Sequence, residues 1–107
     1  MSIELLERAR LYRTSGDPAT AARILADMPE SASVLEELAI AHYRSAALTK
    51  AETATRRLLE LDPAHAYAHL LLGRTLMRQS RHDEARPHLR LAAAMTGDPE
   101  IEALLGD

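Results

Sequence analysis

The sequence predicts an all-α protein built as an array of paired helices, and three observations lead there. A small residue is followed twelve positions later by an alanine at Ala9 and Ala21, at Ala39 and Ala51, and at Gly73 and Ala85. Apolar residues around these positions recur at three- and four-residue intervals, the spacing of one helix face. Most of the Gly and Pro residues punctuate the periodic segments, and no stretch is rich in the β-branched residues that strands favour. Self-similarity of this kind marks repeat architectures, whose units bury a common core by stacking.

The first helix is expected over residues 2–14, with Leu5, Ala9 and Tyr12 on one face, and Ser15-Gly16-Asp17-Pro18 ends it. Asp17 caps the second helix and Pro18 takes its first position, where a missing N–H costs nothing. That helix runs to about Met28 and stops at Pro29. Ser31 caps a third helix of about 32–46, on which Leu35, Leu38, Ala39 and His42 fall at i, i+3, i+4 and i+7. The fourth, about 49–61, ends at Asp62-Pro63. The fifth, about 64–79, carries His69, Leu72, Gly73 and Leu76 at the same spacing. A sixth spans about 83–95, with Asp83 and Glu84 at its positive dipole end and Pro87 near its first turn. Gly97 then breaks the chain. Asp98-Pro99 opens a short segment to Leu105, whose Ile101, Leu104 and Leu105 suit it to cover the end of the stack.

Leu38, Ala39, Ala51 and Leu58-Leu59 recur 34 residues later as Leu72, Gly73, Ala85 and Ala92-Ala93. The small residue of each pair lets two helix backbones cross closely. With Leu72-Gly73 on a first helix, Ala51 followed by Leu58-Leu59-Glu60-Leu61-Asp62-Pro63 on a second, and Ala9, Tyr12, Gly16-Asp17 and Ala21 in phase, the chain resembles the tetratricopeptide repeat (TPR) family. The resemblance implies a right-handed superhelical array of three helix-turn-helix repeats, about 2–29, 32–63 and 66–97. A short capping helix at 98–105 completes a single domain over 1–107. The first unit departs most: it is offset by 30 residues from the second, and Arg8 stands at a normally apolar leucine position. Thr55 replaces the family's usual aromatic residue.

Composition narrows the function. Phe, Trp and Cys are absent from the 107 residues, so the core is built from Leu, Ala, Ile, Val and Met, and disulfides and thiolate metal sites are excluded. A net charge of -3 from 16 acids and 13 bases gives no general affinity for nucleic acid or membrane. Acids at Glu4 and Glu7 replace the basic start of a signal peptide, and no apolar run approaches the roughly 20 residues of a membrane span. A cytoplasmic protein is expected. No nucleophile elbow or phosphate-binding glycine loop is present. His65 and His69 have the four-residue spacing of a two-histidine metal site, but no third ligand accompanies them, so their expected roles are structural. No cofactor or metal is expected, and the chain is not expected to be an enzyme.

The TPR resemblance implies that the first helix of each unit lines a concave groove. That surface would comprise Ile3, Leu6, Arg10 and Arg13, then Ser33, Glu36, Ile40, Tyr43 and Arg44, then Tyr67, Leu70, Arg74, Met77 and Arg78. Helical spacing groups the last five opposite Leu72, Gly73 and Leu76. With Glu36 the one acid among these positions, the groove is expected to be basic and apolar. The expected function is protein binding, as a scaffold or interaction module that holds a peptide or protein partner with acidic residues. A homodimer or an accessory subunit of an enzyme complex is the alternative. The chaperone-tail clamp known in one subgroup of the family is not expected, since Leu6, Glu37, Tyr67 and Leu71 occupy its places beside Arg10.

Overall fold

The computed structural model describes residues 2–106, with side chains from Glu4 onward, and contains no strand among them. Its helices are α1 Ser2–Thr14, α2 Pro18–Ala26, α3 Ala32–Arg44, α4 Leu48–Leu61, α5 Ala66–Arg78, α6 His82–Thr96 and α7 Pro99–Leu104. Capping explains several of the starts. Thr20 N–H donates to Asp17 Oδ1 and Val34 N–H to Ser31 Oγ, each at 3.2 Å, and Glu100 N–H donates to Asp98 Oδ1 at 2.9 Å. Helix α5 begins at Ala66 and not near residue 64, because His65 is itself the cap: its Nδ1 accepts from Ala68 N–H at 3.2 Å. Helix α6 runs through Pro87, which lies in its second turn, not its first.

The turn inside each unit is built the same way. Gly16, Ala46 and Ser80 adopt positive φ values of 100°, 61° and 61°. The next residue then reaches back five places: Asp17 N–H to Tyr12 O at 2.8 Å, Ala47 to His42 at 2.8 Å, and Arg81 to Leu76 at 2.9 Å. These bonds satisfy carbonyls that a helix end otherwise leaves unpaired. They also end α3 at Arg44, two residues before the expected position. Only the first unit uses glycine there; Ala46 and Ser80 hold a left-handed conformation that costs L-residues about 1–2 kcal/mol.

Helix crossing within a unit occurs at the small residues. Ala9, Ala21, Ala39, Ala51 and Ala85 are all buried. At Gly73 the approach is closest, since a Cβ there would lie 2.5 Å from Leu89 Cδ2 and 2.7 Å from its Cγ. Leu89 is itself buried and has little room to withdraw. In the second unit the equivalent pair is Ala39 and Thr55, with volume shifted from one helix to the other. Thr55 and Thr75 are buried without an unpaired hydroxyl, because each donates to the carbonyl four residues back, at 2.6 and 2.7 Å.

Units join through their second helices. Ala21, Ala22 and Leu25 of α2 cluster with Val34 and Ala41 of α3, and Leu58 of α4 clusters with Ala68 of α5. Ile101 of α7 closes over Ala92 and Ala93 of α6. Each fully buried leucine contributes about 1.5–3 kcal/mol. First helices also touch first helices, α1 with α3 and α3 with α5, which puts them on one side of an array extending 45 × 24 × 21 Å. Helix α2 has nine residues against 14 and 15 in α4 and α6, the shortening that Pro29 forces.

Three outcomes follow for stability, all read from urea unfolding. Gly73→Ala should lose about 1–3 kcal/mol through overpacking against Leu89. Adding Leu89→Thr, which transplants the second unit's pair, should cost less than the two single changes summed; strict additivity would show that the contact is not the cause. Ala46→Gly should gain about 1 kcal/mol by relieving the left-handed backbone.

Candidate functional site

The first helices present the face on which the binding residues were expected, and the structure divides those residues into three groups. Arg10 and Arg13 are committed to an internal carboxylate. Arg10 Nε donates to Glu37 Oε2 at 2.9 Å and Arg13 Nε to Glu37 Oε1 at 2.8 Å, while Arg10 Nη1 also reaches Glu7 at 2.8 Å. Glu37 is only 6% exposed. Burial alone would raise its pKa, but the hydrogen bonds from Arg13 and Arg10 outweigh this and hold it below the usual carboxylate range. The expectation that Glu36 is the one acid on this face is therefore corrected: Glu37 neutralises its α1 side and ties the first unit to the second.

A second group is packed rather than presented. Ile40 is 8% exposed and clusters with Ala39, Ala54 and Leu71. Leu70 packs against the Ala92, Ala93 and Ile101 cluster, and Met77 against the one that Leu104 and Leu105 of α7 also join. Leu70 and Met77 are half-buried, and these three support the face from below. Leu6 joins the first core cluster, Ser33 is exposed, and the Ile3 side chain lies outside the described residues.

The third group remains available. Arg44 and Arg74 are exposed, and among the described residues neither has a hydrogen-bond or ion-pair partner. Tyr67 is an exposed residue; burial of part of it pushes its hydroxyl pKa up, the charges of Arg44, Arg13 and Arg74 oppose that shift, and Glu36 adds to it. The hydroxyl stays protonated at neutral pH and can donate. Arg78 lies over the Tyr43 ring, 4.9 Å from its centroid, and donates to Tyr43 O at 3.1 Å. This stacking holds the tyrosine and the guanidinium together and links α3 to α5.

The histidines do not converge as their spacing allowed. His65 accepts from Ala68 N–H at Nδ1, so Nε2 carries its proton and faces Glu36 Oε1 at 3.1 Å. His69 instead meets His88. Its Nε2 lies 2.9 Å from Pro63 O, which can only accept, and its Nδ1 lies 3.1 Å from Nδ1 of His88. The ring centroids are 5.4 Å apart, so the rings meet through these nitrogen edges. A neutral His69 therefore accepts from His88, and the contact holds one proton. The pair lies in an open recess of about 360 Å³ with Arg56, Leu59, Glu60, Pro63 and Leu72. Among the described residues no three His, Asp or Glu side chains group to hold a metal ion.

Sequence reading missed Glu37, the His69–His88 contact and a second carboxylate hub. Glu52 Oε1 accepts from Arg81 at 2.7 Å and Gln79 at 3.2 Å, and Oε2 from Arg56 at 2.9 Å, joining the second unit to the third. A signal for Glu37 existed. It is an acid at the position that Leu71 fills one unit later, with Arg10 and Arg13 on the preceding first helix.

Burial, then His69 and Arg56, lower the His88 pKa, and burial followed by Lys50 lowers that of His42. A depressed histidine pKa means that the unfolded chain takes up a proton near pH ~6.5 when the folded chain resists it. Stability is thus full above that pH and falls as the solution becomes more acidic. Thermal unfolding between pH 7.5 and 5 should show the loss, and His88→Gln should remove part of the slope; an unchanged slope would refute the assignment.

A tetratricopeptide repeat family model matches residues 37–99, more than half of the chain. A stretch of 48 residues is 48% identical to the PsbB mRNA maturation factor Mbb1, chloroplastic, of Chlamydomonas reinhardtii. That match covers 45% of this chain, and the chain spans only 7% of the length of that curated relative. No helix among the described residues is long and apolar enough to cross a membrane. Repeats of the matched family generally mediate protein–protein interaction. With its paired helices crossing at small residues and stacked in three successive units, the chain belongs to the tetratricopeptide repeat family.

Proposed function

We propose that the chain is a non-enzymatic interaction module whose first-helix face binds an acidic peptide segment of a protein partner. The observation that supports this most is the pair Arg44 and Arg74, which are exposed without a partner among the described residues and whose charges both act on Tyr67. Arginine suits the task because its planar fork engages a carboxylate through two parallel hydrogen bonds. Arg10 and Arg13 take a smaller part than the sequence suggested, since Glu37 already engages both. The binding region accordingly shifts toward the second and third units, around Tyr43, Arg44, Tyr67, Arg74 and Arg78.

Charge alone does not supply the affinity. Exposed ion pairs contribute about 0–1 kcal/mol each, whereas micromolar binding requires roughly 8 kcal/mol. The tyrosine rings and the aliphatic stems of the arginines must cover apolar side chains of the partner, with the guanidinium groups selecting for acids.

Affinity capture from a native lysate tests the reading, using wild type, Arg44→Glu/Arg74→Glu, and Arg90→Glu on exposed α6 as a control. The double variant should lose partners with acidic segments by about tenfold or more, and the control should retain them. Equal recovery by all three proteins would defeat the proposal. So would retention of single-stranded RNA, with no protein, by the wild type.

A further inference from the structure

One recess recurs in each unit between its two helices. Leu5, Arg8 and Ile24 line it in the first unit, Leu35, Leu38 and Ala54 in the second, and His69, Leu72 and His88 in the third. Two positions that are apolar in both other units are thus histidine together in the third. Packing gives no reason for the change, since an imidazole buried in place of an aliphatic side chain must find a polar partner. Among the described residues no carboxylate pairs with either ring; each ring has the other.

Two features prepare the pair as ligands. Pro63 O accepts the Nε2 proton of His69 at 2.9 Å, which leaves the Nδ1 electron pair of that ring directed at His88. A carbonyl in this position fixes the tautomer and orientation of a metal-bound histidine. The rings are also kept in the neutral form that binds metal: burial, then the charges of His69 and Arg56, lower the pKa of His88.

We infer that the Nδ1 atoms of His69 and His88 jointly bind a divalent transition-metal ion of the zinc, nickel or copper class. Two nitrogens held about 2.0–2.1 Å from one ion lie about 2.9–3.4 Å apart as the angle at the metal runs from square to tetrahedral. The observed separation is 3.1 Å. In the free chain a proton occupies the line between the rings. On binding, His88 releases that proton from Nδ1 to water and takes one up at Nε2, which has no partner among the described residues. A turn of each ring then brings both electron pairs onto the ion, and water fills its remaining positions from the open recess of about 360 Å³.

The neighbouring charges set the strength of the site. Glu60 lines the recess but is held by Arg57 at 2.6 Å, and the charge of Arg56 is countered by Glu52 at 2.9 Å. The chain thus supplies two ligands where a structural zinc site has four, so the ion is held reversibly. Imidazole selects this class of ion over Mg²⁺ and Ca²⁺, which take oxygen ligands. The ion would join α5 to α6. It shares no residue with the Arg44 and Arg74 surface and stands independently of the proposed function.

Zinc chloride titrated into the full, untagged chain, with the histidine ring and amide resonances followed by NMR, tests the inference. His69 and His88 should shift saturably with a Kd below about 100 µM. His88→Gln should weaken binding about tenfold or more, and His82→Gln, at an exposed position on the same helix, should leave it unchanged. His69→Leu/His88→Ala, which installs the Leu35 and Ala54 pair of the second unit, should keep the circular dichroism and abolish binding. Zinc should raise the urea midpoint of the wild type and not that of the double variant. The inference fails if no saturable shift appears, if His88→Gln binds as tightly as wild type, if Mg²⁺ produces the same shifts, or if they fall on His65 or His82 instead.

Discussion

Everything in this array depends on two helix backbones coming close enough to share one narrow interface in each unit. A side chain larger than alanine at residues 9, 39 or 73 would part the helices, and parted helices could not present a continuous surface to the next unit. The constraint is most severe at Gly73, where Leu89 occupies the space a Cβ would need. The second unit meets it with Ala39 and Thr55, so total volume is conserved better than either position alone. Because the first helices then lie side by side, the same crossing that builds the core also arranges the outer residues of α1, α3 and α5 into one surface.

Arginine serves two purposes on that framework, and the acids at the unit junctions, buried Glu37 and half-buried Glu52, decide which. Glu37 draws Arg10 and Arg13 into the junction of the first two units, and Glu52 draws Arg56 and Arg81 into the junction of the next two. Both carboxylates have lowered pKa values despite burial, because the donors outweigh the loss of hydration. Arg44 and Arg74 have no such acid and no other hydrogen-bond partner among the described residues. The proposed binding surface therefore depends as much on where Glu37 sits as on where the exposed guanidinium groups lie.

The repeat was legible because its determinants are local in sequence: small residues twelve apart, a 34-residue period, and caps at Asp17, Ser31 and Asp98. The left-handed turns were legible only at Gly16, since Ala46 and Ser80 adopt the same backbone without the residue that advertises it. The candidate surface was read less well. Helical spacing assigns residues to a face but not to a depth, so it grouped the buried Ile40 and the half-buried Leu70 and Met77 with the exposed residues of the face. The Arg10–Glu37 and His69–His88 contacts join residues 27 and 19 apart on different helices, a pairing that spacing along one helix does not reveal.

The first and third units depart from the second in opposite directions. At the last second helix, Ala92 and Ala93 replace the Leu58 and Leu59 of α4, which reduces the apolar surface left for a following helix to cover. Six residues of α7 suffice there, with Ile101 as the single buried contact. At the first helix the change runs the other way, because Leu11 enlarges a position that is alanine or threonine in the interior units. Beside it, Arg8 stands where the other units have Leu38 and Leu72, and Glu4 where they have Val34 and Ala68, so this side of α1 carries charge where theirs is apolar.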